Sequence, residues 1–155
     1  MNDYHSKRKS EVVRPEKTYE LADESGISKM KSVLILEDDV SLALLLKEAL
    51  QNAGYGVTVV SNGAEGLKQI LVNDFSILLC DMVMPNFPGD MFYLAVARVR
   101  PHLCKRFIFM TGHHGDRKIE QFIRGIRGLM LWKPFEIPVL FDTIQAVLKK
   151  SEQQA

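Results

Sequence analysis

The chain has 155 residues, one domain's worth, and an ordinary globular composition, 46% hydrophobic and 25% charged. A formal net charge of +1 gives no electrostatic case for nucleic acid or for an acidic membrane surface. No window approaches the roughly 18 apolar residues that a membrane-spanning helix needs, and the opening MNDYHSKRKSEVVRPEK lacks the apolar core of a secretory signal.

Residues 1–31 are polar and of mixed charge. They are expected to form a flexible N-terminal extension, with at most a weak helical turn near Thr18–Ala22. Since MKSVLILEDD, from Met30, reads as a natural domain start, residues 1–29 are a genuine extension, a linker, or an overlong start. From Ser32 the texture changes. Val33–Leu36 is a continuous apolar run, the pattern of a strand buried on both faces. Leu42, Leu45, Leu46, Ala49, Leu50 and Ala53 follow at helical spacing, closed by Gly54. Val57–Val60 is the second strand, and Asn62-Gly63 leads into a helix carrying Leu67, Ile70 and Leu71.

The pattern repeats. Ile77–Cys80 is the third strand, followed by a Pro/Gly loop from Pro85 to Gly89. A helix runs from about Asp90 and stops before Pro101. Phe107–Met110 is the fourth strand; the loop Gly112–Asp116 leads to a helix with Ile119, Phe122, Ile123 and Ile126. Leu129–Trp132 is the fifth strand. Pro138 suits the first turn of a last helix carrying Leu140, Phe141, Ile144, Val147 and Leu148, with Lys149 and Lys150 at its C-terminal end. Residues 151–155 are expected to form a short tail, leaving a folded domain over 32–150.

Short apolar strands alternating with helices imply an α/β fold with a parallel sheet and right-handed crossovers. Such a sheet carries its site at the carboxyl ends of its strands. Those ends hold Glu37-Asp38-Asp39, Ser61, Asp81, Thr111 and Lys133. Carboxylates gathered within a few ångströms repel one another unless a cation intervenes. A hard divalent ion, Mg²⁺ or Mn²⁺, is the natural one, and nothing here calls for zinc. A cation, a hydroxyl and an ammonium around one carboxylate can bind a phosphoryl group, and a carboxylate is itself a competent acceptor. Asp81, central among the strands, is the best candidate.

These residues resemble the receiver domain of two-component response regulators, over about residues 32–150. The resemblance rests on Glu37-Asp38-Asp39, on Asp81 with Met84-Pro85 behind it, on Thr111-Gly112 and on Lys133-Pro134-Phe135. The spacings, 43 residues from Asp38 to Asp81, then 30 to Thr111 and 22 to Lys133, are typical of that family. It implies a doubly wound, flavodoxin-like (βα)5 domain with strand order 2-1-3-4-5. It implies that Asp81 accepts a phosphoryl group from a sensor histidine kinase or a histidine phosphotransfer protein. Asp38, Asp81 and the backbone carbonyl of Val83 would ligate the metal, with Glu37 acting through bound water. Asp39 reads as the cap of the first helix. Thr111 and Lys133 would contact the phosphoryl oxygens, and the Lys133-Pro134 bond is typically cis. The protein would be a cytoplasmic switch rather than a metabolic enzyme. With only SEQQA after the last helix, no direct DNA binding is expected, and output would pass through an unknown protein partner. A homodimer through the helix 4–strand 5–helix 5 face is an option.

Three features depart from the family pattern. Met130 stands where an aromatic commonly turns inward, and strand parity is taken to rule out Trp132 as its substitute. Val83, two residues after Asp81, cannot orient an attacking water, which predicts slow autodephosphorylation; His113, two after Thr111, could. Two rivals stay open: a degenerate receiver that binds partners without phosphorylation, and a phosphatase of the haloacid dehalogenase type. The latter wants a second acid where Val83 stands. His113-His114 and the basic residues Arg117, Lys118, Arg124 and Arg127 read first as solvated loop and helix face. Cys80 and Cys104 read as buried free thiols, suited to a reducing compartment.

Overall fold

The structure, a computed structural model, describes residues 29–154. The expected helical turn at Thr18–Ala22 and almost all of the polar N-terminal segment lie outside them. Five strands and five helices alternate: β1 (Ser32–Leu36), α1 (Val40–Asn52), β2 (Gly56–Val60), α2 (Gly63–Val72), β3 (Ile77–Asp81), α3 (Gly89–Val99), β4 (Phe107–Thr111), α4 (Arg117–Ile126), β5 (Leu129–Trp132) and α5 (Ile137–Gln153). A 3₁₀ segment, Pro101–Arg106, precedes β4. Sequence periodicity passes over it because its turns are too short to repeat an apolar stripe. The sheet is wholly parallel with order β2-β1-β3-β4-β5, as expected for a doubly wound domain.

Alternation along the strands divides the core into two layers. Leu34, Leu36, Leu78, Cys80, Phe107 and Phe109 face the α2, α3 and α4 side, where they meet Ile70, Phe92, Val96, Ile119 and Ile123. Val33, Ile35, Ile77, Leu79, Ile108 and Met110 face α1 and α5, against Leu46, Leu50, Leu140, Ile144 and Val147. Every residue of β3 and β4 is buried, which is why both read as unbroken apolar runs. Each large side chain fully removed from water contributes about 1.5–3 kcal/mol.

Helix starts follow their caps. Asp39 Oδ1 accepts from Leu42 N at 3.1 Å, so Asp39 caps α1 as expected. Asn62 caps α2 through Glu65 N and Asp116 caps α4 through Lys118 N. Gly54, at φ 92°, turns the chain out of α1. At its other end α5 runs to Gln153, three residues past the expected boundary at 150, so most of SEQQA is helical rather than a tail. Lys31 Nζ reaches Glu152 at 3.3 Å and ties this last turn to the start of β1.

Cys80 is fully buried, and burial pushes its thiol well above the usual range, as expected of an inert core thiol. Cys104 differs from expectation: it is only half-buried, beside Tyr93, on the short 3₁₀ segment.

Candidate functional site

The carboxyl ends of β1, β3, β4 and β5 converge because parallel strands in this order all point one way. Leu36 pairs with Cys80, Asp81 with Met110, and Thr111 with Trp132. That register puts Glu37, Asp81, Thr111 and Lys133 on one edge of the sheet. Only three polar or charged residues are buried among the described residues, and all three are here: Glu37 at 2% exposure, Asp81 at 5% and Thr111 at 0%. Asp38 is exposed beside them.

One carboxylate oxygen from each of Glu37, Asp38 and Asp81 lies within 4.8 Å of the others. This all-oxygen set, two members buried and one open to solvent, fits a hard divalent cation such as Mg²⁺ and offers nothing to a thiophilic metal. Lys133 enters the same cluster. Its Nζ donates to Glu37 Oε2 at 2.6 Å and to Asp81 Oδ2 at 3.1 Å. Glu37 Oε1 accepts from Asp39 N at 3.1 Å, so both of its oxygens are engaged. Val83 N donates to Asp81 Oδ1 at 3.0 Å, so Asp81 too is held at both oxygens.

The electrostatics follow from depth. Burial pushes the Glu37 carboxyl up to about 7, against the opposing hydrogen bonds from Lys133 and the Asp39 backbone, with the Asp81 charge adding to the rise. Lys133 is less deeply placed. Burial works against its charge, but the hydrogen bond and charge of Glu37 and the charge of Asp81 outweigh it and hold the ammonium above its usual range. Burial thus dominates at Glu37 and pairing dominates at Lys133, consistent with side-chain exposures of 1% and 22%.

The loop after Asp81 is shaped by two glycines whose close packing the turn signals at Asn62-Gly63 and Pro85–Gly89 do not reveal. A Cβ on Gly89 would stand 2.6 Å from the Asp81 carbonyl oxygen, and Gly89 N donates to Met82 O at 3.1 Å. The loop therefore closes directly over the backbone of Asp81. A Cβ on Gly63 would overlap the Phe87 ring, which the loop packs over the start of α2. The Lys133-Pro134 bond is cis.

The structure corrects the reading of Trp132. Residues two apart on a strand share a face, and Met130 and Trp132 both line the groove between α4 and β5, together with Ile123, Arg124 and Arg127. Trp132 is 36% exposed, and its ring stacks on His114. Arg117, Lys118, Arg124 and Arg127 are all exposed, as expected of the wet face of α4.

A family model described as "Response regulator receiver domain" matches residues 33–145. The chain belongs to this family. Receiver domains are signalling switches rather than metabolic enzymes, generally bind Mg²⁺ in an acidic pocket and work with histidine kinases. This receiver is 32% identical over 119 residues to the response regulator receiver protein CpdR of Brucella abortus, covering 77% of this chain and 98% of that protein. It is 31% identical to a probable chemotaxis protein CheY of Rhizobium etli, covering 79% and 95%. It also spans 15% of the sensor kinase CckA of Brucella abortus, at 28% identity over 91% of this chain. Among solved structures, chemotaxis protein CheY4 of Vibrio cholerae superposes with a TM-score of 0.71 at 28% identity, over 77% of this receiver and all of that chain. A receiver domain protein from Methanospirillum hungatei gives 0.76 at 24% identity, over 82% of this chain and 100% of that one, which shows the shared fold. No helix among the described residues is long and apolar enough to cross a membrane.

Proposed function

We propose that this receiver accepts a phosphoryl group on Asp81 from a phosphohistidine of a sensor kinase or phosphotransfer protein, and that the change of charge there alters partner binding. The observation that carries the reading is the buried Asp81 carboxylate, 3.1 Å from the Lys133 ammonium and grouped with Glu37 and Asp38. An Asp81 oxygen would attack phosphorus, the P–N bond to imidazole would break, and the leaving nitrogen would regain its proton. Lys133 would neutralise charge on the transferring oxygens, and the Thr111 hydroxyl would donate to one of them. A Mg²⁺ or Mn²⁺ ion, held by Glu37, Asp38, Asp81 and the Val83 carbonyl, would supply further neutralisation when bound. Exposed basic residues on α4 support a role for the α4–β5–α5 face towards a downstream protein or a second copy of the chain, in the cytoplasm.

Incubation with phosphoramidate or acetyl phosphate and Mg²⁺, followed by intact mass, tests this. The wild type is expected to gain one phosphoryl increment and Asp81→Asn none. No gain by the wild type would favour a degenerate receiver, a reading that Met130 at the switch position supports. Val83, in place of a second acid, argues against a phosphatase of the haloacid dehalogenase type.

A further inference from the structure

Trp132 is the single tryptophan of the chain and the last residue of β5, immediately before Lys133. The His114 imidazole lies over it, ring centroids 4.4 Å apart and planes inclined by 18°. His114 belongs to the segment joining β4 to α4, three residues after Thr111. The stack therefore fastens an exposed loop onto the strand end that delivers Lys133.

Hydrogen bonds join this stack to the site. His113 N donates to Thr111 Oγ1 at 3.1 Å, Lys133 N donates to Thr111 O at 2.7 Å, and His114 N donates to Gly112 O at 3.2 Å. The fully buried Thr111 hydroxyl is thus tied to the residue immediately before His114. While it accepts from His113 N, its own proton remains free to be donated. An oxyanion on Asp81 offers that proton a strong acceptor. As the hydroxyl turns towards it, the backbone at His113 must follow or lose its bond. Where that bond is kept, the backbone carries His114 with it, while Trp132 stays in register opposite Thr111. Parallel rings in contact do not survive a displacement of about 1 Å or more without losing much of their dispersion contact.

We propose that the His114–Trp132 stack is a latch, closed while Asp81 is free and opened by an oxyanion on Asp81. His114 is a positioning residue that acts through Thr111 and the loop backbone. Opening remodels one wall of a groove of about 610 Å³ that Trp132 shares with Ile123, Arg124, Arg127 and Met130. Met130 has no ring to stack, which leaves Trp132, on the same face, as the aromatic reporter.

The latch rests on the reading of Asp81 as a phosphoryl acceptor, so the test measures the two separately on one sample. The full chain is treated with phosphoramidate and Mg²⁺; intact mass reads the phosphoryl group, and tryptophan emission with acrylamide quenching reads the latch. The wild type is expected to gain one phosphoryl increment together with brighter, more quenchable emission. H114A is expected to show bright, quenchable emission from the start and no further rise. H114F, which can still stack, is expected to restore both the protection and the response. A phosphoryl gain with unchanged emission overturns the latch and leaves the Asp81 reading intact. A full response in H114A also overturns it. No phosphoryl gain on the wild type overturns the Asp81 reading and the latch with it.

Discussion

Lys133 Nζ lies 2.6 Å from Glu37 Oε2, joining residues 96 positions apart, and the same ammonium reaches Asp81 Oδ2 at 3.1 Å. One cation at the end of β5 therefore compensates two buried carboxylates at the ends of β1 and β3. Replacing it with the apolar isostere in Lys133→Met leaves both without it. The expected cost is on the order of 1–3 kcal/mol in metal-free protein, because Glu37 can take up a proton and limit the damage. Urea unfolding in the presence of a chelator measures it; an unchanged midpoint would show that the pair contributes nothing net. Added Mg²⁺ should recover part of the loss.

Glu37 makes the metal-free protein sensitive to pH. Its folded-state value is raised to about 7 from 4.5, so the fold favours the neutral acid. The corresponding stability is fully present below about pH 4.5 and is lost as pH rises through about 7. Glu37→Gln mimics the neutral form. Under chelation, the variant should gain on the wild type as pH rises from about 5 to about 8, by on the order of 3 kcal/mol at the top of the range. A difference that stays constant across that range would sink the assignment.

Gly89 and Gly125 should respond oppositely to alanine. At Gly89 the new methyl meets the Asp81 carbonyl oxygen at 2.6 Å and Met82 Cα at 3.0 Å, and backbone cannot yield cheaply. Gly89→Ala is expected to destabilise by about 1–3 kcal/mol and to slow phosphorylation by displacing Asp81. A Cβ at Gly125, inside α4, meets nothing within 4 Å. Gly125→Ala should stabilise by about 0.5–1 kcal/mol. Chemical denaturation of both variants checks the pair, and equal effects would refute the steric argument.

On the proposed acceptor role of Asp81, Val83 is expected to bear on how long a phosphoryl group lasts. Its amide holds Asp81 Oδ1, while the residue is 43% exposed and its side chain offers no hydrogen bond to water. Val83→Asn keeps the backbone contact and adds an amide able to orient an attacking water. Decay of the phosphorylated form, followed by intact mass, should accelerate. An unchanged half-life would remove Val83 from the account.

Much of the fold was legible before the structure because its signals are local. A strand buried on both faces must be apolar throughout, so Val33–Leu36 and Ile77–Cys80 announced themselves. A capped helix needs an oxygen at its start, which made Asp39 readable. The candidate site was legible because polar residues directly after such strands, Asp81, Thr111 and Lys133, have few reasons to stand there. The 3₁₀ segment Pro101–Arg106 and the helical Ser151–Gln153 were not, since short turns and polar helix ends carry no apolar period.

By itself, then, the sequence determined the alternation of strands and helices and the polar residues at the strand ends, since burial imposes a period that any chain must write into its residues. Only the tertiary structure decided which of those residues meet. The partnership of Lys133 with Glu37, the closure of Gly89 on the Asp81 backbone and the seating of His114 on Trp132 each join separate segments. Such contacts depend on how packed layers bring distant side chains within reach, and no local pattern encodes that.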